Sequence, residues 1–412
     1  MLTKPDSDLA RRAGEGAPGH NVIGGALAAA RSGAVLEVTS PSGGIGFAKI
    51  ARSDAADVDA AVAAARAAFE AGPWAKMAAA ERGRLLTRLG DRIADHAGEL
   101  AALESRDTGK PLRQGIADVT ATLRYFEYYG GAADKVHGEQ IPFLDGYTAL
   151  TLREPHGVVA GIIPWNYPLQ ILARVAGAAL AMGNTLVIKP AEDASLTAIR
   201  VAELALEAGF PDGVFNVVTG LGSEAGAALS AHADVDYVTF TGSPATGTAI
   251  QTAAAENNRG VTMELGGKSP QIVFADADIE AALPVLVNAI IQNGGQTCSA
   301  GSRILIERPV YDTVASELAA RFAALTAEPH WADGDLGPLI NAKQAERVAR
   351  FVANAKAAGT DVLAEGSIAA DAPKGGHYQA PVLFGAVVVG SVLVGRAGRT
   401  RHEAVEPHDV LA

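Results

Sequence analysis

From Gly157 to Glu264 the chain alternates short apolar runs with helical stretches, and no other feature limits the fold so tightly. Strands are expected at 158–163, 185–188, 214–218, 235–240 and 261–264, with helices at 167–182, 194–208, 224–231 and 246–256. Repeated βα units of this length require a parallel sheet covered by helices on both faces.

A second α/β block is expected from about Lys268, with strands at 271–274 and 303–307 and helices at 279–292, 310–327 and 342–358. Upstream, the periodicity predicts three helices, over 54–71, 78–106 and 112–133. The Asp145-Gly146 turn with β-formers after it predicts a hairpin near 141–153. Residues 1–20, polar and without periodicity, read as a mobile arm.

The chain has 412 residues, 49% of them hydrophobic, enough for two or more domains with a sizeable core. Its formal charge of −12 with scattered Lys and Arg argues against nucleic acid or an anionic membrane as partner. One cysteine cannot form an internal disulfide or a cysteine zinc site and fits a reducing compartment. The polar start and the lack of a long apolar run predict no signal, no membrane span and a cytoplasmic location. The nine His residues show no metal-ligand spacing, so no metal is expected.

Chemistry concentrates in a few places. Cys298 follows Gly294-Gly295 and precedes Gly301, in a loop where backbone can approach a substrate closely. A thiolate there can attack a carbonyl carbon, although a lone cysteine can also be a small buried hydrophobe. Glu264 ends a strand before Gly266-Gly267, so it is placed either to activate water in a cleft or to face solvent. Asn166, between Trp165 and Tyr167 at a strand-to-helix junction, can supply an oxyanion donor, cap the helix, or both. Lys189 and Glu192 follow a strand at the sheet edge where open parallel sheets bind ligands. Phe240, Thr241, Gly242, Ser243 and Gly247 lie at a turn opening a helix, whose N-terminus can hold a phosphate. Gly222 belongs to a second glycine-rich turn, 220–226. Asp107-Thr108-Gly109-Lys110-Pro111 follows a helix, lacks the first Walker glycine and reads as a helix C-terminus.

Four motifs, Pro164-Trp165-Asn166-Tyr167-Pro168, Ile188-Lys189-Pro190-Ala191-Glu192, Met263-Glu264-Leu265-Gly266-Gly267-Lys268 and Gln296-Thr297-Cys298-Ser299-Ala300-Gly301, occur in one order. In these the chain resembles the NAD(P)-dependent aldehyde dehydrogenase family, from roughly residue 35 to about residue 386. The resemblance implies an α/β protein with a Rossmann-like NAD-binding domain over 21–136 and 156–264. It implies a bridging oligomerisation hairpin over 137–155 and a second α/β catalytic domain over 265–412. It implies NAD-dependent oxidation of an aldehyde, a small-molecule substrate, to a carboxylic acid through a Cys298 thiohemiacetal and thioester. The implied catalytic residues are Cys298, Glu264, Asn166 and Lys189. Cofactor contacts are implied at Ile163, Pro164, Trp165, Lys189, Glu192, Gly222, Phe240, Thr241, Gly242, Ser243, Gly247 and Leu265. Glu192 would face the ribose hydroxyls and repel a 2′-phosphate, favouring NAD. Tyr125, Tyr128, Trp165 and Tyr167 are expected near the substrate pocket.

After about residue 386 the pattern departs from the family, and no Glu-x-Phe-Gly-Pro segment follows. The expectation is a C-terminally truncated or frame-shifted member, impaired both in catalysis and in the homodimer or homotetramer the family forms. Two rivals accompany this reading: an inactive remnant that still binds NAD or partner subunits, and a cysteine esterase or acyl-transfer enzyme without hydride transfer.

Overall fold

The computed structural model describes residues 5–17 and 19–385. The expectations about the tail after residue 386 lie outside the described residues. The chain opens with helix α1 (Ser7–Arg12), capped by the Asp6 carboxylate, which accepts from Leu9 N. This corrects the expectation of a mobile arm. Ala10 is buried, its carbonyl lies 3.1 Å from His330 Nε2, and Arg106 donates to the Ala13 carbonyl. The tie is long-range and so leaves no local period to read.

Strands β1 (Asn21–Ile23) and β2 (Ala26–Ala28) form one hairpin, and β3 (Val35–Ser40) and β4 (Ile45–Ala51) form another. Helix α2 (Ala55–Glu70) follows, with Asp54 and Asp57 forming a capping box. The single helix expected over 78–106 is two, α3 (Ala79–Asp95) and α4 (Ala97–Thr108), because His96 leaves helical geometry at φ −105 and ψ 18. Helix α5 (Leu112–Ala132) packs against both α3 and α4. The expected hairpin is present as β5 (Gln140–Ile141) and β6 (Ala149–Leu150), with Gly146 in the left-handed region.

The βα region follows as β7 (Val158–Ile163), α6 (Pro168–Ala181), β8 (Thr185–Pro190), α7 (Leu196–Glu207) and β9 (Phe215–Val217). A π-helical turn at Gly222–Gly226 leads into α8 (Ala227–Ala231), so the helix expected over 224–231 begins with a bulge. Then come β10 (Tyr237–Gly242), α9 (Pro244–Ala255) and β11 (Gly260–Leu265). The seven-stranded sheet runs β11-β10-β7-β8-β9-β1-β2, parallel except for the β1–β2 edge. Every residue of β7 and β8 is buried, as two covered faces require. One face packs on α3 to α7, the other on α2, α8 and α9.

The second block holds β12 (Pro270–Val273) and β13 (Arg303–Ile306), paired in parallel, with α10 (Ile279–Ile291) between them. Helix α11 (Tyr311–Ala324) stops short of the expected 327, because β14 (Thr326–Ala327) pairs with β16 (Ser367–Ile368). Helix α12 (Ala342–Ala357), β15 (Asp361–Glu365) and β17 (Val382–Gly385) complete the described chain. No described helix is long and apolar enough to cross a membrane.

Leu172 on α6 is fully buried against the sheet. Leu172→Ala is expected to cost about 2–5 kcal/mol of unfolding free energy, from lost burial plus a residual cavity. Urea denaturation followed by circular dichroism reads this, and a loss well under 1 kcal/mol would contradict the packing described.

Candidate active site

Strand register brings the motifs together. β7 and β8 end level, Ile162 beside Lys189 and Ile163 beside Pro190. β10 and β11 end level too, Thr241 beside Glu264 and Gly242 beside Leu265. The chain steps from β7 through β8 to β9, then returns to the other side of β7 for β10 and β11. Strand order therefore reverses between β7 and β10, where a crevice opens at the carboxyl ends of parallel strands. Pro164, Trp165 and Asn166 leave β7 there, and the 240–247 turn leaves β10 there.

One side of the crevice gathers Lys189, Glu192, Gly222 and Gly226. Lys189 is 2% exposed and its Nζ donates to Glu192 Oε2 at 3.0 Å. Burial lowers the Lys189 ammonium pKa, and the Glu192 carboxylate works against that shift. A Cβ on Gly222 would reach within 3.9 Å of Glu192 Oε2, and one on Gly226 within 3.8 Å of Lys189 Cδ. Across from them, Ser243 caps α9 by accepting from Thr246 N at 3.2 Å. A Cβ at Gly242 would lie 2.4 Å from the Phe240 ring, and one at Gly247 2.8 Å from Leu265. The backbone turn and Leu265 close over each other only because these positions are glycine.

The other side is the nucleophile loop. Helix α10 ends at Ile291, and Asn293, Gly294 and Gly295 all take left-handed φ of 51, 62 and 77°. For Asn293 that conformation carries strain, a pattern that clusters at functional sites. Gln296 locks the bend: its Nε2 donates to the Asn293 carbonyl at 2.9 Å, and its Oε1 accepts from Ile340 N at 3.0 Å. Beyond it Cys298 is a free, exposed thiol. Asn166 Nδ2 donates to the Gln296 carbonyl at 2.9 Å, and Tyr167 OH lies 2.9 Å from Thr297 Oγ1. Two sequence motifs 130 positions apart are thus held together on either side of the thiol. Glu264 is exposed at the end of β11, and the Gly267 turn after it approaches the Cys298 carbonyl, 3.4 Å from where a Cβ would stand.

Not every expected residue joins this cluster. The contacts of Lys189 are with the Glu192 side of the crevice. Tyr128 is 68% exposed and packs on Tyr129, whereas the Tyr167 hydroxyl reaches the nucleophile loop. Behind that loop lies an apolar cavity of about 390 Å³, lined in part by Gly294, Gly295, Ile304, Leu318 and Gly385 and by neither Cys298 nor Asn166.

The sequence reading missed the groups beneath Asn166. Lys110, after the Gly109 helix cap at φ 83°, is 1% exposed. Its Nζ donates to Glu104 Oε1 at 3.2 Å, to Asp118, and to the Asn166 carbonyl at 2.9 Å. Asn293 Nδ2 donates to the same carbonyl at 2.9 Å. The signal was present as a lysine with acids six residues before and eight after. Reading Asp107-Thr108-Gly109-Lys110-Pro111 only as a helix end passed over it.

With this geometry in place, comparison with known proteins is direct. The aldehyde dehydrogenase family model matches residues 28–394, and the chain belongs to that family. It is 46% identical over 334 residues to aldehyde dehydrogenase family 2 member B4, mitochondrial, of Arabidopsis thaliana, covering 80% of this chain and 62% of that protein. It is 45% identical over 364 residues to the hydroxyisobutyraldehyde dehydrogenase of Mycolicibacterium austroafricanum, covering 88% and 71%. The NAD+ complex of a Bacillus cereus aldehyde dehydrogenase superposes with TM-score 0.88 at 40% identity, covering 94% of this chain and 78% of that one. A Staphylococcus aureus betaine aldehyde dehydrogenase, solved with NAD+ and a BME-modified cysteine, gives TM-score 0.86 at 35% identity, covering 92% and 76%. The chain thus spans less than two thirds of the Arabidopsis relative's length.

Burial raises the Glu104 carboxyl pKa to about 7, Lys110 opposing the shift and Asp118 adding to it. The folded chain therefore holds this proton more tightly than the unfolded chain, where the ordinary value is 4.5. Its contribution to stability is complete below that value and is lost as pH rises through about 7. Glu104→Gln is expected to flatten the decline in unfolding free energy between pH 5 and 7, by roughly 1–3 kcal/mol. Urea midpoints across that range decide it, and parallel curves for the two proteins would refute the assignment.

Proposed function

We propose that this chain oxidises an aldehyde to a carboxylic acid with NAD as acceptor, through a covalent adduct on Cys298. The observation that carries the reading is the juxtaposition of Asn166 and the Cys298 loop at the strand-order reversal, beside the Lys189–Glu192 pair. The thiolate forms a C–S bond to the carbonyl carbon, and the carbonyl π electrons pass to oxygen. One Asn166 amide hydrogen is committed to the Gln296 carbonyl. The other, with the Cys298 backbone N–H, is the donor pair assigned to the resulting oxyanion. Glu264, exposed to solvent, takes a proton from water, and the hydroxide attacks the thioester. The C–S bond breaks, releasing a carboxylic acid and restoring the thiolate, and Glu264 passes its proton to solvent.

The residues present fit NAD. Lys189 and Glu192 would hold the adenosine ribose, and Phe240, Thr241, Gly242, Ser243 and Gly247 at the start of α9 would hold the pyrophosphate, with Gly222 lining the crevice. Ile163, Pro164, Trp165 and Leu265 would flank it. When bound, NAD would supply a hydride acceptor, and loss of hydride from carbon turns the Cys298 adduct into a thioester. Glu192 opposes a 2′-phosphate by like charge, so NAD is preferred over NADP. The 137–155 hairpin, with Phe143, Leu144, Tyr147 and Leu152 all at least 65% exposed, is assigned to contact with a second subunit. A free thiol at Cys298 suits a reducing cytoplasm.

Cys298→Ala is expected to abolish aldehyde-dependent NADH formation and leave NAD affinity within about twofold, since the thiol makes the covalent bond and not the cofactor contact. Retained turnover removes the nucleophile assignment. Ester hydrolysis by the wild type with no aldehyde oxidation would instead favour acyl transfer.

Glu192→Gln is expected to narrow the preference for NAD over NADP by about tenfold or more in kcat/KM, as one like-charge contact is relieved. An unchanged ratio would place the discrimination elsewhere.

A further inference from the structure

We propose that Lys110 and Asn293 clamp the Asn166 carbonyl from two sides and are positioning residues for both the Asn166 amide and the nucleophile loop. This rests on the reaction proposed above but stands on separate geometry. A lysine ammonium has three N–H donors. All three meet an acceptor here: Glu104 Oε1, an Asp118 carboxylate oxygen and the Asn166 carbonyl. The ammonium also sits over the Tyr167 ring, 4.5 Å from its centroid.

Both carboxylates are themselves tied to surrounding helices. Thr197 on α7 donates to Glu104 Oε2 at 3.0 Å, and Gln170 on α6 donates to Asp118 Oδ1 at 2.6 Å. The Asn166 carbonyl is thus anchored through Lys110 to α4, α5, α6 and α7 at once. Its second donor, Asn293 Nδ2, belongs to the strained bend before Cys298, and Asn293 N donates in turn to Gln114 Oε1 on α5 at 3.0 Å. One carbonyl oxygen therefore joins the backbone that carries the Asn166 amide to the loop that carries the thiol. A fixed charge with no free donor cannot relax during a reaction, which is the property that electrostatic preorganisation needs. Lys110 and its two acids are close in sequence, but the acceptor they serve, the Asn166 carbonyl, lies 56 residues beyond Lys110.

Three variants of the full chain test this. Asn293→Gly removes one donor and keeps a residue that accepts φ 51°. Lys110→Met removes the other, and the triple variant Lys110→Met, Glu104→Gln, Asp118→Asn removes it without leaving buried carboxylates unpaired. Amide hydrogen exchange by mass spectrometry is read for peptides 164–170 and 292–298, with 158–163 and 185–190 as sheet references. NAD affinity and aldehyde-dependent kcat are measured alongside.

The expected result is exchange at least tenfold faster in the first two peptides and less than twofold faster in the sheet. It includes kcat down at least tenfold and the NAD Kd within twofold. Unchanged exchange at 164–170 and 292–298 in Asn293→Gly and in whichever Lys110 variant folds would overturn the clamp. So would equal acceleration in the sheet, which would mean that the group only holds the fold. Should the wild type show no aldehyde turnover, the proposed reaction fails while the exchange pattern still decides the clamp.

Discussion

Strand β7 lies inside the sheet with all six of its residues buried, and that burial dictates where chemistry can occur. A polar side chain in such a strand has no water to bond, so it costs free energy unless a partner is built for it. β7 itself carries no polar side chain, and polar residues flank it. Asn184, just before β8, accepts from Gly157 N at 3.0 Å and closes the amino end of the sheet. Asn166 sits just past the carboxyl end of β7, the first place where a side-chain amide can face a crevice. Because strand order reverses at β7, the turns after β7 and β10 diverge there and leave room between them.

The same logic makes the ion group under Asn166 expensive. Burying an ammonium and two carboxylates costs several kcal/mol each before any attraction is counted. An apolar trio of similar volume would stabilise the fold as well or better. Lys110 is nonetheless held above its ordinary pKa, because the Asp118 and Glu104 carboxylates outweigh the burial that opposes its charge. Glu104 moves the other way, toward its neutral form, since a single cation cannot compensate two buried acids. What such an arrangement provides over an apolar one is direction: donors that hold one carbonyl in one place.

The sequence made the repeated βα units legible because strands such as β7 and β8 are short apolar runs bounded by Gly, Asn or Pro. Strand 158–163 is recovered residue for residue, and the 140–150 hairpin follows from Asp145-Gly146. The site motifs were legible as well, through their resemblance to a family. What was not legible depends on distance along the chain. Helix α1 is ordered by His330 and Arg106, both far downstream, and Lys110 reads as a helix end until Asn166 is placed above it. The break at His96 interrupts a continuous helical period that no proline or glycine marks at that residue.

Rigidity and exposure are divided across the site in a way the proposed chemistry requires. Asn293, Gln296 and Thr297 are all less than 9% exposed and hydrogen-bonded, while Cys298 one step further is exposed. The donors toward a developing oxyanion must be fixed before the reaction, since reorienting them during it would cost what they supply. The thiol and the water-activating carboxylate must instead meet partners that arrive and leave, so Glu264 also lies exposed at a strand end. Three consecutive left-handed residues make that division possible, turning the end of α10 into an open loop within one bend. Two of them are glycine, for which the conformation is unstrained, and the third, Asn293, is the one whose side chain donates to the Asn166 carbonyl. The strain therefore falls on the residue whose hydrogen bond can offset it.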